Sequence, residues 1–265
     1  MKIVMDGKEV KAEPGQTIIE VARANGVFIP TLCHVPALEP AAMCRLCTVE
    51  INEGRRTRMV TACNYPLRVD AEIVTDNDLL RQGRKLIVEL LYARCPDSQT
   101  LKDLAVRYGA DLERFPRQNV DCVMCGLCAR VCERVGGFVL ALSGRGVDIH
   151  VETPFGHLSD QCIGCGSCAR ICPVQKIQIV DEPDGLRRII VRGQEVSRVM
   201  MPACGVCGRR FGPIIDLEQT LTRAGEDKVP PINRDICPEC SRQRLAKRLA
   251  ERHFEQYQLA SGEEA

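Results

Sequence analysis

The first sixty residues alternate apolar and polar positions in short runs separated by turn-forming pairs. Asp6-Gly7 lies between two such runs. A pair of this kind tolerates the positive φ angles of a tight turn, so the flanking runs are expected to form a β-hairpin. Thr17 and Glu20 stand three apart, as in a capping box, ahead of a helix with Ile18, Val21 and Ala22 on one face and Gly26 at its close. A second hairpin is expected, with strands near 48–52 and 56–62 joined through Glu53-Gly54. From 77 to 109 the period lengthens to that of helices. One helix carries Leu86, Leu90 and neighbouring apolar residues; a second places Leu101, Leu104, Ala105 and Tyr108 on one stripe.

Hairpin, helix and hairpin in this order predict a β-grasp domain over residues 1–76, followed by a helical connector over 77–115 that packs it against the next unit. Residues 116–182 contain a repeat, CVMCGLCARVC at 122–132 and CIGCGSCARIC at 162–172, which predicts two halves related by a pseudo-twofold axis. Asp184-Gly185 predicts a hairpin within 183–200. Beyond 201, a loop-rich stretch with two cysteine pairs precedes a basic amphipathic helix near 241–259, completing a segment over 183–265. The expected class is α+β.

Composition changes this picture at one point. Aromatics make up 4% of the 265 residues and Trp is absent, whereas cysteines number 17. A chain short of large apolar anchors needs another means of holding its segments together. Cysteine-rich sequences use disulfides in oxidising compartments and metal in reducing ones. The count is odd, most cysteines are two or three residues apart, and MKIVMDGKEV has no apolar signal region. Metal in the cytoplasm is the expectation. No apolar run reaches the length of a membrane span. The net charge of +1 becomes more negative once thiolate-bound clusters are added, which argues against a nucleic-acid partner.

The spacing sorts the cysteines. Cys33, Cys44, Cys47 and Cys63 (C-x10-C-x2-C-x15-C) supply four thiolates from a loop and the end of a hairpin, as a [2Fe–2S] rhomb needs. His34 adjoins this set, either as an ordinary surface histidine or as a hydrogen-bond donor to the cluster. Each repeat run is C-x2-C-x2-C-x3-C, the pattern of a [4Fe–4S] cubane. Gly126, Gly164 and Gly166 let the chain wrap tightly around such a group. Cys204, Cys207, Cys237 and Cys240 form two C-x2-C knuckles resembling a zinc ribbon, in which Zn²⁺ clamps two hairpin turns; iron is the alternative. Cys95 stands alone and reads as a buried structural residue.

The runs resemble those of two-cluster ferredoxins, in which the fourth cysteine of each run binds the other cluster. That implies Cys122, Cys125, Cys128 and Cys172 on one cubane, and Cys162, Cys165, Cys168 and Cys132 on the other. Glu133 stands where such ferredoxins usually have Pro. The [2Fe–2S] spacing departs from plant-type ferredoxins, which have four residues in the first gap. It resembles the N-terminal domain of the large iron–sulfur subunit of respiratory complex I and of iron-only hydrogenases. Around Cys95 that subunit has further ligands, His and Cys, which this sequence lacks.

The resemblance implies a truncated relative acting as an electron-transfer subunit of a hydrogenase-, formate-dehydrogenase- or heterodisulfide-reductase-type complex, between a flavoprotein and a catalytic partner. It covers residues 1 to about 180. No Gly-rich dinucleotide fingerprint after a strand and no P-loop occur in the sequence, and a non-catalytic role is expected. The rivals are a free multi-cluster ferredoxin and an iron–sulfur and zinc nucleic-acid-binding protein. The second rests on Arg242, Arg244, Lys247, Arg248 and Arg252 of the basic helix.

Overall fold

The computed structural model describes residues 1–54, 56–118, 120–212 and 235–261. The loop-rich stretch expected beyond 212 and the side chain of Arg252 lie outside the described residues.

The N-terminal sheet is built from β1 (Ile3–Met5), β2 (Lys8–Val10), β3 (Thr48–Asn52), β4 (Thr57–Thr61) and β5 (Ala71–Val74), in the order β2-β1-β5-β3-β4. β1 runs parallel to β5, and every other pair is antiparallel. Asp6 and Gly7 both take positive φ, 49° and 77°, as the hairpin requires. The Asp6 carboxylate accepts bonds from the N–H and hydroxyl of Thr75, which fastens this turn to the end of β5. α1 (Ile18–Ala24) carries the capping box and lays Ile18, Ile19, Val21 and Ala22 on the sheet.

The sequence pattern does not reveal β5. Its four residues are too few to display a period, and pairing between β1 and β3 is what makes them a strand. α2 (Asp78–Arg94) also differs from expectation. Leu86 and Leu90 are 40% and 47% exposed, while Leu80, Arg84, Val88, Glu89, Tyr92 and Ala93 face inward. Two polar side chains set this orientation. Arg84 donates to the carbonyls of Leu46, Thr48 and Thr75. Glu89 accepts from the N–H of Asp111 and from Arg114. Buried backbone groups require such partners, so the helix turns Arg84 and Glu89, rather than Leu86 and Leu90, to the interior. α3 (Gln99–Tyr108) keeps the expected face, with Leu101 and Ala105 buried, and ends on Gly109 in the left-handed region.

α4 (Leu127–Arg134) and α5 (Ser167–Ile171) are the short helices of the repeat, each starting after a left-handed glycine, Gly126 or Gly166. Between them β6 (Ala141–Ser143) and β7 (His150–Glu152) make a small hairpin. β8 (Ile177–Asp181), β9 (Leu186–Val191) and β10 (Gln194–Met200) form an antiparallel sheet that crosses residue 182. α6 (Pro238–Ser261) follows the last cysteine pair. One apolar cluster joins Cys33, Cys44 and Leu46 to Val88, Tyr92, Cys95, Leu101, Val123, Cys125 and Val174, so α2 and α3 pack the N-terminal sheet against the repeat.

Candidate iron–sulfur and metal sites

Cys33, Cys44, Cys47 and Cys63 are all buried. The first three lie in the loop between α1 and β3, and Cys63 follows β4. Left-handed turns at Ala42 and Arg45 curl that loop. Backbone N–H groups thereby reach sulfur: Leu32 donates to Cys44 Sγ and Cys44 to Cys33 Sγ, each at 3.4 Å. The sulfurs fall into two couples. The bond to Cys33 holds the Cys44 thiol down at about 5, helped by the N–H groups of Leu32 and Leu46, and pushes Cys33 up. Cys63 is likewise held down by Cys47, whose own thiol is pushed up. Two adjacent sulfur pairs, with N–H donors aimed at them, suit a binuclear centre with two thiolates per iron.

The repeat is reproduced in backbone detail. Met124 and Gly164, forty residues apart, both take left-handed conformations with φ of 54° and 67°. In each case the N–H bonds back to the sulfur two residues earlier, Cys122 or Cys162. The fourth cysteines are exchanged. Cys122, Cys125, Cys128 and Cys172 line one cavity, with Val123, Val151, Val174, Ile177 and Val191. Cys132, Cys162, Cys165 and Cys168 line another, with Val139, Leu140, Ile189 and Val196. Burial pushes the thiols of Cys125 and Cys168 up to about 11 and about 12, and it raises Cys122, Cys128 and Cys162 as well. Ionised sulfur in an apolar cavity needs compensating cations, so the donor set and its surroundings fit a metal–sulfide group.

The last set is tighter. The sulfurs of Cys204, Cys207, Cys237 and Cys240 all lie within 4.8 Å of one another, with Cys207 and Cys237 3.8 Å apart. Four thiolates 2.3 Å from a single tetrahedral ion stand about 3.8 Å apart, so this set fits one ion rather than a cluster. N–H groups of Cys237 and Cys207 hold the Cys204 thiol down at about 6, and hydrogen bonding to Cys237 and Cys207 pushes Cys240 up to about 12. The first knuckle closes a short hairpin bridged between Ala203 and Arg210. The second pair sits at the start of α6, not in a second hairpin turn, so the positive end of a helix dipole faces these thiolates.

Cys95 is buried in the cluster around α2, and burial pushes its thiol up to about 11. His34 is half-buried and lines a wide cleft beside Cys63; burial first, then Arg23, lowers its pKa. Spacing could not have singled out the arginines around these loops. Arg94 donates to the Cys122 carbonyl, Arg187 to that of Gly164, and Arg192 to that of Val120.

Comparison with known proteins agrees with this chemistry. Residues 1–78 match the family described as "2Fe-2S iron-sulfur cluster binding domain", and residues 158–175 match "4Fe-4S binding domain". The mitochondrial NADH-ubiquinone oxidoreductase 78 kDa subunit of Neurospora crassa is 27% identical over 76% of this chain. The chain spans 33% of that relative's length. The NAD-reducing hydrogenase HoxS subunit gamma of Cupriavidus necator is 28% identical over 57% of this chain and 75% of its own. The crystal structure of an NAD⁺-reducing [NiFe]-hydrogenase in the H₂-reduced state contains a chain that superposes with a TM-score of 0.58. It is 28% identical, and the match covers 66% of this chain and 85% of that one. The protein is thus a homologue of the complex I 75/78 kDa subunits and of the NAD-reducing hydrogenase HoxS, with a [2Fe–2S] domain at its N-terminus and a [4Fe–4S] motif in its second half.

Proposed function

We propose that this chain is a non-catalytic electron-transfer subunit of a multi-subunit oxidoreductase, relaying single electrons between a flavoprotein or hydrogenase-type partner and a further redox subunit. Cys33, Cys44, Cys47 and Cys63 hold one [2Fe–2S] cluster. Cys122, Cys125, Cys128 and Cys172 hold one cubane, and Cys162, Cys165, Cys168 and Cys132 hold the other. Cys204, Cys207, Cys237 and Cys240 hold a single zinc ion. The corresponding units are 1–76, 77–115, 116–182 and 183–265. A reducing compartment, the cytoplasm in the simplest case, suits thiolate ligation on this scale.

The observation that carries the reading is the exchange of fourth cysteines between the two cavities. When bound, the clusters supply one-electron chemistry. The chain contributes aimed N–H groups, arginines on the ligand loops and apolar walls that exclude water. Among the described residues no helix is long and apolar enough to cross a membrane.

Anaerobically purified full-length protein should contain about ten iron atoms (two plus four plus four) and one zinc. About fourteen iron atoms without zinc would overturn the assignment of the last four cysteines. Sustained NADH–dye turnover by the isolated chain would overturn the non-catalytic reading.

A further inference from the structure

The two repeat runs contain the same Cys-Ala-Arg triplet, which places Arg130 and Arg170 at equivalent positions. Their surroundings differ. Arg170 is exposed. Arg130, on α4, reaches back to the N-terminal domain, donating from Nη1 to the Glu39 carbonyl at 2.6 Å. Its Nη2 donates to the Cys33 carbonyl at 2.5 Å and to the Cys125 carbonyl at 3.3 Å. One nitrogen thus joins the main chain of a [2Fe–2S] ligand to that of a cubane ligand, two residues 92 positions apart in the sequence. Close packing reinforces the junction: a Cβ on Gly126 would stand 2.8 Å from Met43 Sδ, so the loops before Cys44 and after Cys125 touch.

We propose that Arg130 is a positioning residue that fixes the electron path between the centre on the Cys33 loop and the centre on the Cys125 loop. This rests on the cluster assignment above. The step moves one electron and no proton, oxidising one centre and reducing the other. A planar guanidinium suits the task because it can hold several carbonyls at fixed angles, whereas an ammonium acts as a point charge. Its positive charge also lies beside both ligand loops, so it favours the reduced, more negative state of both centres. The cubane bound by Cys132, Cys162, Cys165 and Cys168 has no such link to the N-terminal domain through Arg170.

The test uses anaerobically loaded full-length protein with Arg130→Met, Arg130→Lys and Arg170→Met. Iron content and EPR-monitored redox titration are measured first. Electron equilibration between the [2Fe–2S] centre and the cubanes then follows a flash, with a photoexcited flavin as one-electron reductant. Arg130→Met is expected to retain its iron, to lower the potentials of the [2Fe–2S] centre and one cubane together, and to slow equilibration on the order of tenfold. Arg130→Lys should restore the potentials but not the full rate, and Arg170→Met should alter neither. Wild-type equilibration in fully loaded Arg130→Met would overturn the proposal, as would equal slowing in Arg170→Met. Loss of [2Fe–2S] iron in both Arg130 variants would also overturn it, by making the residue an assembly contact only. A wild-type chain without a [2Fe–2S] signal would instead bring down the functional reading.

Discussion

The N-terminal domain and the region beyond residue 116 both close their interiors, but with different material. In the first, Ile3, Met5, Ile18, Ile19, Val49, Ile51, Leu67 and Ile73 meet between sheet and helix, and Cys47 and Cys63 join a core that apolar side chains already fill. In the second, cysteines are a large share of the core itself. Cys128 and Cys168 are buried among four valines, one leucine and one isoleucine, with Cys122, Cys132 and Cys162 packed against them. Around the last knuckle, Ile236 and the partly buried Phe211 are the apolar residues grouped with Cys204, Cys237 and Cys240. Thiols gathered around a common space contribute little cohesion until metal draws them together. With metal held as proposed, one chain combines a domain that metal decorates with domains that metal completes.

The sharpest way to break this comparison is to remove the metal. Stripping bound metal with acid and chelator, then returning to neutral pH, should abolish amide-exchange protection across 122–172 and at the two knuckles, 204–207 and 237–240. β1, β3 and β5 should stay protected, because their ladder hydrogen bonds do not involve sulfur and most of the residues packed around them are aliphatic. Loss of protection in β3 and β5 together with the repeat would show that both regions depend on metal alike.

The next largest effect concerns Arg84, which has 3% of its surface exposed and ties α2 to the loop carrying Cys44 and Cys47. Arg84→Met leaves the carbonyls of Leu46, Thr48 and Thr75 without this donor, and a loss of about 3 kcal/mol is expected from the charged hydrogen bonds removed. Urea unfolding of the metal-free chain, followed through the N-terminal domain, measures it. A change below about 0.5 kcal/mol would mean that the domain does not depend on this polar tie.

What could be read from the sequence follows the same division. The hairpins, the capping box and the individual cysteine runs and pairs depend on local spacing, and each is visible within a short stretch of sequence. β5, the inward face of α2 and the arginines on the ligand loops depend on partners tens of residues away, such as Leu46 with Arg84 or Gly164 with Arg187. Gly164 and Met124 illustrate the limit. They share one backbone conformation, but at Gly164 a Cβ would stand 2.9 Å from Met201 Sδ, so glycine there also answers to a contact that no motif encodes.

A smaller effect belongs to the capping box. Thr17 accepts from the Glu20 N–H while the Glu20 carboxylate accepts from the Thr17 N–H, which holds the Glu20 carboxyl below its usual range. Thr17→Ala should cost the N-terminal domain about 1 kcal/mol, with or without metal. A cost that appears only in the loaded protein would couple this helix to the cluster and blur the contrast between the regions.

The smallest effect lies in the β6–β7 hairpin, which separates the two cysteine runs and gives that region a pH dependence of its own. His150 bonds the Asp148 carbonyl through Nδ1 at 2.7 Å and pairs with Glu152 through Nε2 at 2.9 Å. The Asp148 carbonyl first, then Glu152, raise the His150 pKa above 6.5. The Glu152 carboxyl is lowered below 4.5, by Ser143 first and His150 second. A raised histidine contributes stability that is full below 6.5 and is lost as pH rises through its folded value. A lowered carboxylate contributes stability that is full above 4.5 and is lost as pH falls through its folded value. Both contributions are therefore complete between 4.5 and 6.5, and amide exchange in β6 and β7 should be slowest there, quickening toward neutral pH. Because both side chains are partly exposed, the change should be modest. His150→Asn should flatten the profile above 6.5 without altering exchange in β1 or β3. An unchanged profile in that variant would assign the pH dependence to the cysteine ligands, making the hairpin one more element that metal completes.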